Sequence, residues 1–170
     1  MHKTKLTLAQ IALFGMLGAL TFGAKVAMSG LYNIEPVSLM VMLFAVVFGW
    51  KCLYPIYLYV LLEILLYGIN LWNINYLYIW TILAVAAIFM RRLRNPLWWA
   101  LLSGFFGLVF GLLCTPVYMV LDGWDYAVRW WIAGLFPADV LHGVGNFAVA
   151  LVLFVPLRLL MEKLYSKMRK

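Results

Sequence analysis

The chain has 170 residues, 67% of them hydrophobic and 11% charged, and its mean hydropathy is +1.00. A soluble domain of this size has too little interior to hide that much apolar side chain, so the composition marks an integral membrane protein. The net charge of +7 does not indicate a nucleic-acid binder, because the basic residues alternate with apolar spans and form no single patch.

The first five residues, Met1-His2-Lys3-Thr4-Lys5, have the charge of a signal-peptide start. No short apolar core with a small-residue cleavage site follows, so the first apolar segment is expected to stay in the bilayer. Six spans are predicted, at residues 6–28, 36–50, 52–69, 74–90, 96–121 and 132–160, forming a single all-α domain over residues 1–170. Little more than Gly49-Trp50-Lys51 separates the second span from the third, so a re-entrant hairpin is an alternative there. Cys52 and Cys114 lie at or inside apolar stretches and read as packing residues.

With the N-terminus inside, Lys3, Lys5, Lys51, Arg91, Arg92, Arg94, Arg158, Lys163, Lys167, Arg169 and Lys170 all fall on the cytoplasmic side. Only Lys25 and Arg129 fall outside. Eleven of thirteen basic residues on one side is a strong positive-inside bias, and an odd number of spans would destroy it. Both termini are therefore expected in the cytoplasm, with a basic amphipathic tail over residues 157–170. Glu35, Asp122, Asp125 and Asp139 instead lie towards the outer side, and Glu63 lies inside the third span. The outer connections carry Tyr32-Asn33, Asn70-Leu71-Trp72-Asn73-Ile74-Asn75-Tyr76, Trp124, Tyr126, Trp130 and Trp131. Interfacial belts account for Trp and Tyr, but not for three asparagines grouped on one side.

In a helix, Asp139, His142, Gly143 and Asn146 stand at i, i+3, i+4 and i+7 and share one face. An Asp at the bilayer centre costs about 2.5–3.5 kcal/mol on insertion scales, so such a column should face a partner or a cavity. Two stripes of small residues suit close helix packing: Ser103, Gly107, Gly111 and Thr115 in the fifth span, and Gly15, Ala19 and Gly23 in the first, with Ala12 and Gly18 beside them. One stripe serves the protein's own bundle, and the second is available to another membrane subunit or to the bundle itself.

This combination resembles the substrate-binding S component of an energy-coupling-factor (ECF) transporter. The resemblance covers nearly the whole chain: six spans, both ends inside, small residues along the first helix, an outer aromatic region and a polar face opening the last helix. Asn33-Ile34-Glu35-Pro36-Val37 and Tyr76-Leu77-Tyr78-Ile79-Trp80 are similar to stretches in a Firmicute branch of such components. The family's first helix carries alanines spaced by four that touch the coupling subunit. Here Ala12 fits one such position, Met16 occupies the next, and Gly15, Ala19 and Gly23 form the better register. The resemblance implies a bacterial plasma-membrane protein that captures a vitamin or related micronutrient outside. It then docks on a module of one transmembrane coupling protein and two ATPases. This chain has no Walker-type loop and is expected to be non-catalytic, without a cofactor.

Asp139, His142 and Asn146 are the first choices for substrate contact, and a polar seam joining helices is the competing role. Glu63 either contacts substrate or pairs with Lys25 or His142. Lys25 can instead snorkel to the interface, and Glu35 can favour the start of the second helix. Tyr67, Asn70, Trp72, Asn73 and Trp80 offer flat faces and amides to a heteroaromatic ligand. The outer carboxylates suit an amine or cationic ring, which leaves thiamine-like, pyridoxine-like and deazaguanine-type molecules open. A metal site is disfavoured, because one Asp and one His at i, i+3 lack further ligands beyond Glu63. The alternatives are an intramembrane enzyme using Asp139, His142 and Glu63, although no H-E-x-x-H or G-x-S-x-G signature is present, and a self-sufficient small permease.

Overall fold

The computed structural model describes residues 6–168. Lys3, Lys5, Arg169 and Lys170, which enter the charge bias above, lie outside the described residues. Every regular element among the described residues is helical, and five stretches are long and apolar enough to cross a membrane: Leu8–Ala27, Val37–Tyr67, Leu71–Met90, Pro96–Asp122 and Trp124–Met168.

The first stretch is α1 (Leu8–Ala27), which Thr7 and Gln10 open with a reciprocal capping box. Gly49 divides the second. Its φ of 58° and ψ of −139° lie where a Cβ is strained, so the helix ends, a 3₁₀ turn follows over Gly49–Cys52, and the chain reverses. The arms are α2 (Val37–Phe48) and α3 (Leu53–Tyr67), about 18 and 22 Å long at 1.5 Å per residue. Neither alone matches a hydrocarbon core of about 30 Å. α2 is apolar on all sides and accordingly central: Val37, Val41, Met42, Leu43, Phe44 and Ala45 are all buried.

α3 runs parallel to α1. Lys51 Nζ donates to Gln10 Oε1 at one end (3.2 Å), Leu58 packs on Gly18 midway, and Lys25 meets Glu63 at the other. α4 (Leu71–Met90) returns antiparallel and starts one turn earlier than hydropathy indicates, because Asn70 and Asn73 form its capping box. α5 (Pro96–Leu108) and α6 (Phe110–Asp122) are offset at Val109.

The region expected to be one last span at residues 132–160 is built differently. α7 (Trp124–Gly134) already begins after Gly123, and a wide turn over Leu135–Asp139 follows. Phe136 there has extended backbone (φ −126°, ψ 127°), as the residue before a proline favours, so the helices cannot be continuous. α8 (Val140–Met168) then descends through the bundle and brings Tyr165 OH within 3.1 Å of Gln10 Nε2.

α8 and α5 approach so closely that only glycine fits between them. A Cβ on Gly107 would lie 2.7 Å from the His142 carbonyl oxygen and 2.8 Å from Gly143 Cα. Deeper, Trp99 stacks on Phe154, with ring centroids 4.3 Å apart and planes 14° apart.

Candidate ligand cavity

At the end of the bundle away from Gln10, Lys51 and Tyr165 lies a cavity of about 560 Å³. Its walls come from the end of α1, the loop before α2, α3, the start of α4, α6, α7 and the turn leading into α8.

One ion pair and one histidine–carboxylate contact stand in its wall. Lys25 Nζ is 2.6 Å from Glu63 Oε2 and lies over the Tyr76 ring, 5.0 Å from its centroid. Glu63 is 97% buried (3% exposed), and its Oε1 has no hydrogen-bond partner. His142 Nε2 is 3.3 Å from Glu35 Oε1, and the His142 ring meets Phe110 edge-on at 4.9 Å. Glu35 also accepts from the backbone N–H groups of Val37 and Ser38 and from Ser38 Oγ (2.7 Å), so it caps α2. Burial alone would raise the Glu35 carboxyl. The His142 and Ser38 contacts outweigh that and hold it below the usual carboxylate range. Asp139 Oδ1 accepts from Gly111 N–H at 3.2 Å, while Oδ2 has no partner.

The predicted contact residues Asp139, His142, Glu63, Lys25, Glu35, Tyr67, Asn70, Trp72, Asn73 and Trp80 all line this one cavity. Asn146 does not. One turn below His142, its Nδ2 donates to Ser38 Oγ at 3.0 Å, which joins α8 directly to α2, and Ser38 Oγ in turn donates to Glu35. Asn146 therefore occupies the polar-seam role, and His142 takes part in both. Asn70 and Asn73 spend their side-chain oxygens on each other's backbone N–H groups. Asn75, grouped with them by sequence, is buried outside the cavity, where Tyr78 OH donates to its Oδ1.

Tyr59, Tyr76, Phe110, Gly111, Trp130 and Trp131 also line the cavity and were not among the predicted contacts. Tyr76 could have been found at the centre of Trp72, Tyr76 and Trp80, a helical run of period four, and Tyr59 one turn before Glu63. Trp80 stands in a run of rings, 5.4 Å from Tyr76 and 5.8 Å from Phe110. Trp130 packs on Tyr118 at 4.2 Å and on Trp72 at 6.2 Å. Among the described residues, no three His, Cys, Asp or Glu side chains gather as metal ligands.

The two small-residue stripes differ. Ser103, Gly107 and Thr115 are buried, and Gly107 and Gly111 press against α8 and Asp139. Ala12, Ala19 and Gly23 are exposed and Gly15 half-buried; a Cβ on Gly15 or Gly23 would meet nothing within 4 Å. Met16 and Leu20 beside them are 65% and 59% exposed. No known protein family, curated protein or solved structure matches the chain.

Proposed function

We propose that this chain captures a water-soluble, heteroaromatic micronutrient from the outer side of a bacterial plasma membrane and delivers it to an ATP-driven ECF-type module. The carrying observation is the cavity confined to one half of the bundle, with aromatic faces and a few placed charges in its wall. Beneath it the bundle is filled by side chains such as Phe44, Phe154 and Trp99, which suits capture better than passage. In this reading the chain crosses the membrane six times. α2 and α3, although each is shorter than the hydrocarbon core, count as separate crossings lengthened by the Gly49–Cys52 turn and the loops at their outer ends; the ends joined by Gln10 and Tyr165 lie in the cytoplasm, and the cavity opens outside.

The open small-residue face of α1, at Ala12, Gly15, Ala19 and Gly23, is where the transmembrane coupling subunit would pack; the two ATPases would supply hydrolysis. The test is to place the chain alone in vesicles and offer radiolabelled thiamine, pyridoxine or 7-aminomethyl-7-deazaguanine. Saturable binding of one compound, without accumulation or conversion, is the expected result. Accumulation by the chain alone would instead make it a permease, and chemical conversion an enzyme.

A further inference from the structure

Resting on the capture reading, we infer that the ligand carries a positively charged amine or cationic ring substituent read by Glu63, and that the cavity rejects the corresponding anions. Three carboxylates line the cavity, from Glu35, Glu63 and Asp139, against the one ammonium of Lys25. Three negative charges less one positive leave a formal balance of minus two with His142 neutral, and minus one with it protonated.

The carboxylates are not equivalent. Glu35 is consumed by the α2 N-terminus, Ser38 and His142, so it has little capacity left for a ligand. Asp139 is half-used by Gly111, and its second oxygen lies against that glycine, 2.5 Å from where a Cβ would stand. Glu63 has the clearest unmet demand. One oxygen holds Lys25, and the other is buried without any donor. An unpaired carboxylate oxygen in an apolar span is costly, and of the donors a ligand can bring, an N–H⁺ removes most of the cost because it answers the charge as well as the lone pair.

Lys25 already directs donors at Glu63 Oε2 (2.6 Å) and Tyr76 OH (3.4 Å), so its charge is largely answered, and among the described residues no other Lys or Arg lines the cavity. Lys25 over the Tyr76 ring shows that the aromatic wall already accommodates a cation beside Glu63. Trp80 Nε1 and Trp131 Nε1 are buried donors without acceptors, so the ring system should also carry a carbonyl or ring nitrogen.

Two matched series test the charge. Each keeps one ring and varies one substituent: pyridoxamine, pyridoxine and 4-pyridoxate, and the 7-aminomethyl, 7-cyano and 7-carboxy forms of 7-deazaguanine. Native mass spectrometry on the full chain is expected to show the amine of one series held at least about tenfold more tightly than its neutral analogue, the scale of one charged hydrogen bond. The carboxylate should not be retained. Glu63→Gln, which keeps the side-chain shape, should bring amine and neutral analogue within about twofold of each other while the ring is still bound.

Equal or tighter retention of a neutral or anionic analogue overturns the inference and leaves capture standing. If folded protein retains neither series, the change in indole quenching by N-methylpyridinium and by iodide between wild type and Glu63→Gln reads the cavity's charge, because Trp50, Trp98 and Trp124, exposed outside the cavity, contribute equally to both proteins. A fall in the cation-to-iodide quenching ratio on Glu63→Gln then supports the cation preference even as capture of these rings fails. An unchanged ratio overturns it.

Discussion

Arg158 and Glu63 are almost equally buried, 5% and 3% exposed, yet their surroundings differ in kind. At the base of the bundle the Arg158 guanidinium donates to Leu93 O (3.0 Å), Arg91 O (3.1 Å) and Glu162 Oε1 (2.9 Å), and it lies over the Trp99 ring. It ties the end of α4 and the following turn to α8, and each of its nitrogens has an acceptor. Around the cavity, Glu63, Asp139, Trp80 and Trp131 each keep a polar atom unpartnered. Saturated burial is what a structural lock needs, whereas unsaturated burial beside an open volume is what a binding site needs before its ligand arrives.

The largest effect should come from breaking the saturated end. Arg158→Met removes the guanidinium donors to two carbonyls and a carboxylate, leaving Leu93 O with Trp99 Nε1 alone, and should lower stability in detergent unfolding by about 3 kcal/mol, with ligand retention unaltered. Unchanged stability would contradict the lock.

The glycine stripes should differ next. Gly107→Ala forces a Cβ into the α8 backbone and should cost about 1–3 kcal/mol. Gly15→Ala meets open space and should be neutral or raise stability by up to about 1 kcal/mol, since Ala is the better helix former. Equal losses at the two positions would mean that the α1 face is not open.

Asn146→Ala removes a buried donor to Ser38 outside the cavity. It should cost about 1 kcal/mol of stability and shift ligand retention less than Asp139→Ala does. A larger shift in retention would put Asn146 back among the contacts.

Polar residues in apolar spans were the legible part of this chain. Asp139 and His142 stand out against Leu and Val at helical spacing, and Glu63 is a single charge between leucines and isoleucine; all three line one cavity. The aromatic wall was harder to read: Phe110 sits in a stretch apolar on every side, where periodicity has no contrast to show which face is inward, and Tyr59 is marked only by Glu63 one turn on. The asparagines misled by proximity: Asn70 and Asn73 fit a capping box, but composition alone groups them with Asn75. Hydropathy also runs through Phe136-Pro137 and joins α7 to α8, although the backbone there leaves the helix. Which small-residue stripe is internal depends on the partner helix, and neither stripe carries that information in its own sequence.

The most direct test of capture is native mass spectrometry on the purified chain, offered B vitamins, their precursors and deazaguanines, in parallel with Asp139→Ala and His142→Ala. One compound is expected to be retained at sub-micromolar concentration by the wild-type chain and lost in both variants. Undiminished retention in both variants would contradict the cavity as the binding site, and no retention by folded wild-type protein would contradict capture itself.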